Sequence, residues 1–173
     1  MVKTPPLLPV EVLSRVLRTA RVNGASVLVI AGGLALLSAA IRDEFGTMVG
    51  LLVAAAGAIE LHGAGLLRQG ESRGCNWLVA SQFYLLFVIF AYAAWQITHP
   101  VSDIVWHLVL TPQVKDQLEA QGTSVPDAIR LLRQVYIAAY VLLAVLTFFY
   151  QGGMALFYSR RRRAIETALH DAF

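Results

Sequence analysis

The chain has 173 residues, of which 57% are hydrophobic and 14% are charged, and its formal net charge at pH 7 is +3. Soluble domains average about 25% charged residues, so this composition excludes an ordinary water-soluble domain and favours a protein embedded in lipid. Cys75 is the single cysteine, which excludes an intrachain disulfide and a cluster of thiolate metal ligands.

The segment before the first apolar run, residues 9–21, has the pattern of an amphipathic helix that begins at Pro9. We predict a cytoplasmic interfacial helix, because basic side chains gain about 1 kcal/mol each beside anionic lipid headgroups. A docking surface for a soluble partner is the alternative. The basic residues that would contact headgroups or a partner here are Arg15, Arg18 and Arg21.

Four apolar segments are long enough to cross a bilayer, which takes about 20 residues of helix. Three of them lack Asp, Glu, Lys and Arg, and the second contains only Glu60. They predict an all-α protein, an integral membrane four-helix transmembrane bundle with short loops after the first and second helices. A cleaved signal peptide ending near Ser38-Ala39-Ala40 is the alternative for the first segment, but that apolar stretch is long for a signal peptide. The predicted spans are residues 22–41, 45–67, 75–98 and 134–159.

The positions of lysine and arginine predict the orientation of the bundle, because short cytoplasmic loops carry an excess of these residues. Ten of the fourteen basic residues flank the spans on one side. We therefore predict that both termini lie in the cytoplasm, with the protein in a bacterial-type inner membrane. The cytoplasmic set is Lys3, Arg15, Arg18, Arg21, Arg68, Arg73 and Arg160 to Arg163, and the outer set is Arg42, Lys115, Arg130 and Arg133.

The predicted outer loop, residues 99–133, contains two signals for the start of a helix. Thr111-Pro112 and Ser124-Val125-Pro126 each place a capping hydroxyl before a proline that the first turn accepts. Short helices are therefore expected in this loop, the first of them an apolar piece, 101–110, at the level of the lipid headgroups. His99, Asp103 and His107 stand four residues apart, a spacing that suits a metal site, although solvated polar residues give the same pattern.

The cytoplasmic tail, residues 160–173, opens with four consecutive arginines. In a soluble chain such a run would suggest nucleic-acid binding, but directly after a span it is typical of a stop-transfer flank. We expect contact with lipid headgroups or a partner protein, and no nucleic acid. The residues are Arg160, Arg161, Arg162 and Arg163.

Glu60 is the most informative residue, because an ionisable side chain within a span is costly and usually faces the bundle interior. It shares a helical face with small residues that include Gly50 and Gly57, which predicts an inward orientation. Three polar residues lie at a similar depth in the other spans and predict an intramembrane polar layer with Glu60. They are Ser26, Gln82 and Gln151.

Two functional alternatives centre on the second span. Glu60 would be the proton or cation site of a small transporter or channel, or His62 would be an axial ligand of a haem or pigment. The two side chains lie about 200° apart around a helix, so they cannot serve one ligand. Against these stands the simpler interpretation that polar side chains hydrogen-bond between helices.

Catalytic motifs are missing from the sequence: it contains no Ser/His/Asp constellation, phosphate-binding glycine loop or HExxH motif. We therefore expect no enzyme activity and no cofactor. Apolar helices with glycine faces are typical of membrane assemblies. The sequence favours a non-enzymatic accessory or self-associating subunit of a membrane complex, whose partners are the bilayer and further copies or other membrane subunits.

Overall fold

A computed structural model describes residues 8–99, 111–120, 122 and 124–172, and every regular element within those ranges is a helix. Four of the helices are long and apolar enough to cross a membrane. The protein is therefore all-α with four candidate membrane-spanning helices, as the sequence predicts. The helices are α1 (Pro9–Ala40), α2 (Glu44–Arg68), α3 (Gly74–Thr98), α4 (Pro112–Ala120) and α5 (Val125–Ala172).

The described residues fall into two compact units. The first comprises residues up to Ile89 together with those from Thr147 onward, and the second comprises Phe90–Leu146. The first unit therefore contains α1, α2, the beginning of α3 and the end of α5. The second contains the end of α3, α4 and the beginning of α5.

The turn between α1 and α2 is only three residues long, which makes these helices antiparallel neighbours. Arg42 takes a left-handed conformation, with φ of 60°, and reverses the chain direction. Asp43 then caps α2, since its Oδ1 accepts a hydrogen bond from the Gly46 amide at 2.9 Å. The hydroxyl of Thr47 donates to the Asp43 carbonyl at 2.7 Å and fixes the same turn.

The turn between α2 and α3 is a Schellman motif built on Gly70. Its φ of 82° is left-handed, a conformation that costs glycine nothing. The Glu71 amide donates to the Leu66 carbonyl at 3.0 Å, and the Gly70 amide donates to Leu67 at 3.3 Å. These bonds satisfy the free carbonyls at the end of α2, so α3 can begin at Gly74.

Glycines bring the helices of the first unit into backbone contact. A Cβ added at Gly57 of α2 would lie 2.6 Å from the Gly24 carbonyl oxygen and 2.7 Å from the Leu28 nitrogen of α1. Likewise, a Cβ at Gly63 would lie 3.0 Å from the carbonyl oxygen of Gly74 on α3. Small residues are the usual means by which helices approach closely inside a membrane.

The predicted interfacial helix is not a separate element. α1 runs unbroken from Pro9 to Ala40, a length of about 48 Å that exceeds the hydrocarbon thickness of about 30 Å. The apolar side chains of its first turns, Val12 and Val16, are buried in one cluster with Ile165 and Leu169 of α5. The prediction is corrected because an apolar stripe looks the same in sequence whether lipid or a neighbouring helix covers it.

The loop between α3 and α5 is described only in part. α4 begins at Pro112 and α5 at Val125, where the Ser124 hydroxyl accepts a hydrogen bond from the Asp127 amide at 3.3 Å. The predicted apolar helix over 101–110 lies outside the described residues. At the other end, α5 continues through the predicted tail to Ala172.

Candidate functional site

Glu60 is buried among the helices of the first unit, with 2% of its surface exposed. Its Oε2 accepts a hydrogen bond from the Asn23 side-chain amide of α1 at 2.7 Å. Its Oε1 accepts from the Tyr158 hydroxyl of α5 at 2.6 Å. Both carboxyl oxygens are thus satisfied by side chains from two other helices.

The hydrogen bonds continue on either side of the carboxyl group. The hydroxyl of Tyr150 donates to Asn23 Oδ1 at 2.9 Å. The amide of Gln82 on α3 interacts with the Glu60 carboxyl group and donates to Ser81 Oγ at 3.1 Å. All four helices of the unit therefore contribute to one set of contacts, which we call the Glu60 network: Asn23, Glu60, Ser81, Gln82, Tyr150 and Tyr158.

The Glu60 network differs in membership from the predicted polar layer. Glu60 and Gln82 come together as expected, whereas Ser26 is exposed and Gln151 is buried elsewhere. Those two residues line a separate cavity. Asn23, one helical turn before Ser26, takes the place predicted for the serine.

Sequence reasoning overlooked Asn23 because an uncharged amide does not mark an apolar span in the way that a carboxyl group does. One signal was present: Asn23 precedes Gly24, and Gly24 packs against Gly57, one turn from Glu60. An amide beside the glycine of a close helix contact is well placed to cross to the neighbouring helix.

A second chain of hydrogen bonds lies in the second unit. Tyr136 donates to Gln96 Oε1 at 2.8 Å, and Gln96 Nε2 donates to the Tyr92 hydroxyl at 3.0 Å. The Tyr92 and Tyr140 hydroxyls lie 3.3 Å apart. These contacts join the end of α3 to the beginning of α5, and they hold no carboxyl group.

The two predicted histidine sites lie apart from the Glu60 network. His62 is exposed on α2, and its ring meets the edge of Trp77 with centroids 5.3 Å apart. His99 stacks on Trp95 at 3.8 Å. Asp103 and His107 fall outside the described residues, and within the ranges that the structure covers no three His, Cys, Asp or Glu side chains are placed to hold a metal ion.

Most of the predicted lipid-contacting arginines are exposed: Arg15, Arg18, Arg21, Arg160, Arg162 and Arg163. Arg161 is half-buried, and its guanidinium lies 3.7 Å from the centre of the Phe157 ring. Burial, and secondarily the charge of Arg15, lower the pKa of Arg161 from its ordinary value. Arg162 pairs with Glu166 at 2.9 Å, and that contact raises the pKa of Arg162.

Taken together, four long apolar helices and a hydrogen-bonded carboxyl group buried between them indicate an integral membrane protein. Comparisons with protein-family models, with curated proteins and with solved structures found no match. Functional inference therefore depends on the site itself.

Proposed function

We propose that the protein is a small non-enzymatic subunit of a membrane complex. It associates through its apolar helix faces, principally with further copies of itself. The supporting observation is that the Glu60 network is closed by the chain's own side chains. Because both carboxyl oxygens already accept hydrogen bonds from the same chain, Glu60 is better suited to linking helices than to binding a substrate.

The glycines supply the surface for association. Gly24, Gly50, Gly57, Gly63 and Gly74 are used in close contacts within the chain. In contrast, a Cβ at Gly32 or Gly33 of α1, or at Gly152 or Gly153 of α5, would meet nothing within 4 Å. These four positions lie inside apolar spans and contact none of the other described helices, so a neighbouring helix could approach closely there.

Bulky substitution of the open glycines tests self-association. At Gly32 and Gly153 an added Cβ meets no described atom within 4 Å, so in Gly32→Leu and Gly153→Leu the fold should persist while a second copy is held away. Energy transfer between donor- and acceptor-labelled full-length chains in liposomes should show association at least about tenfold weaker, a loss of roughly 1.4 kcal/mol.

Gly65→Leu is the matched control, because Gly65 is equally open but lies at the end of α2. It should associate like the wild type. Energy transfer that is absent in the wild type at every protein-to-lipid ratio contradicts self-association and directs attention to other membrane subunits.

We further propose that both ends of the chain lie in the cytoplasm of a cell with a bacterial-type inner membrane. The support is the distribution of basic residues, since Arg15, Arg68, Arg73 and Arg160 to Arg163 all flank one side of the candidate spans. In the turn after α2, the Arg73–Glu71 ion pair raises the pKa of Arg73, a guanidinium that is charged at any physiological pH.

Cysteine labelling tests this orientation. In a Cys75→Ala background, a membrane-impermeant maleimide added to intact spheroplasts should label Glu44→Cys, at the first residue of α2. It should label Arg163→Cys only after the membrane is opened. Labelling of Arg163→Cys in intact spheroplasts, with Glu44→Cys protected, would reverse the proposed orientation.

A proton- or cation-coupled carrier centred on Glu60 is the alternative function. One observation favours it: Tyr158, which donates to Glu60, also lines a cavity of about 460 Å³ with Asn76, Ser159 and Arg162. Against it, residues 141–146 of α5, between Tyr140 and Thr147, all have apolar side chains. A proton path along this helix would lack polar side chains for about one and a half turns.

A further inference from the structure

A second cavity in the first unit has no role in the Glu60 network. It has a volume of about 310 Å³, at the lower end of the roughly 300–1,000 Å³ typical of small-molecule sites. α1, α2, α3 and α5 all contribute to its wall. Most of the wall is apolar, and its polar side chains are Ser26, Thr147 and Gln151.

Gln151 is the residue that distinguishes this cavity from an ordinary gap between helices. Its side chain is buried, with 6% exposed, yet its Oε1 accepts no hydrogen bond from any of the described residues. An unsatisfied buried acceptor costs about 1–3 kcal/mol. Thr147 lies one turn away on the same helix and lines the same wall.

The chemistry of the wall selects the class of ligand. None of the described residues that line the cavity is acidic or basic, so neither a cation nor an anion would find a counter-charge among them. A pure hydrocarbon would fill the apolar part but leave the Gln151 acceptor unsatisfied. A ligand with an apolar body and a single hydroxyl donor matches both parts of the wall.

The position of the cavity also indicates the route of entry. Ile30 and Leu34 of α1 form part of its wall and are 64% and 58% exposed. They belong to the apolar surface of a candidate span, so the cavity opens towards the space that lipid chains occupy. A ligand would enter from the bilayer, and not from water.

We propose that this cavity binds a neutral, bilayer-soluble alcohol whose hydroxyl donates to Gln151 Oε1 and whose apolar chain lies along Ile30 and Leu34. This site goes beyond the proposed role as a subunit and does not depend on it. Glu60 takes no part in it, because the Glu60 network uses other side chains.

A pair of photoreactive probes tests the site. One is a long-chain primary alcohol with a diazirine in the chain, and the other is its methyl ether, which has no donor. With full-length protein in lipid nanodiscs, the alcohol should label the cavity wall about tenfold more than the ether, equivalent to roughly 1.4 kcal/mol. Mass spectrometry locates the labelled residues.

Two variants make the result decisive. Gln151→Leu removes the unsatisfied acceptor, so the protein should fold and the ratio of alcohol to ether labelling should fall to about one. Ser26→Phe places bulk at an exposed position of the wall and should reduce labelling by both probes. Equal labelling by the two probes in the wild type, an unchanged ratio in Gln151→Leu, or label spread evenly over all apolar faces would each overturn the proposal.

Discussion

Replacing Gly57 with alanine is expected to lower the free energy of unfolding by about 1–3 kcal/mol, the usual cost of overpacking a close contact. The new Cβ would lie 2.6 Å from the Gly24 carbonyl oxygen and 2.7 Å from the Leu28 nitrogen. Both are backbone atoms of α1, so no side chain can turn aside to accommodate the methyl group. The two helices would have to separate. Because the hydrogen bond from Asn23 to Glu60 lies beside this contact, the separation should weaken that bond as well.

Gly152→Ala is the matched control for Gly57→Ala. Gly152 lies in α5, and a Cβ there meets nothing within 4 Å, so alanine should be neutral or should stabilise the helix by up to about 1 kcal/mol. Unfolding of both variants in mixed micelles, followed by circular dichroism, gives the comparison. If Gly57→Ala proves as stable as Gly152→Ala, the close contact between α1 and α2 is wrong.

The limits of the helices were largely predictable from the sequence because charge and turn residues mark them. The predicted spans 45–67 and 75–98 lie within α2 and α3, which extend at most one residue further at either end. Arg42-Asp43 and Gly70 interrupt the apolar runs with residues that suit a capped turn and a left-handed conformation. These are local properties, and a single sequence contains them.

Contacts between helices were harder to predict, because periodicity assigns a face but not the partner that covers it. Glu60 was expected to point inward, and it does. Its partners, Asn23 and Tyr158, lie 37 and 98 residues away along the chain. The sequence likewise identified the stripe of Val12 and Val16 as apolar. Only the packing of α5 against this stripe shows that protein covers it, and not lipid.

Removing members of the Glu60 network should produce the second large effect. Tyr158→Phe deletes one donor to the carboxyl group and should cost about 1–3 kcal/mol of unfolding free energy. Glu60→Leu leaves the Asn23 amide and the Tyr158 hydroxyl without their acceptor and should cost more, about 2–4 kcal/mol. Unfolding in mixed micelles measures both losses, with Tyr84→Phe as a tyrosine control from outside the Glu60 network.

The double variant decides whether the contact between Tyr158 and Glu60 is responsible. If it is, Tyr158→Phe should cost about 1–3 kcal/mol less in the Glu60→Leu background than alone, since the hydroxyl has already lost its acceptor. Additive losses would mean that the two residues act separately.

Proton flux in proteoliposomes distinguishes a structural role of Glu60 from a transport role. If Glu60→Gln abolishes a proton flux that the wild type shows, and Tyr158→Phe leaves the stability unchanged, Glu60 is a transport site. If Glu60 is structural, the wild type should show no proton flux, and the double variant should show a strong coupling energy between Tyr158 and Glu60.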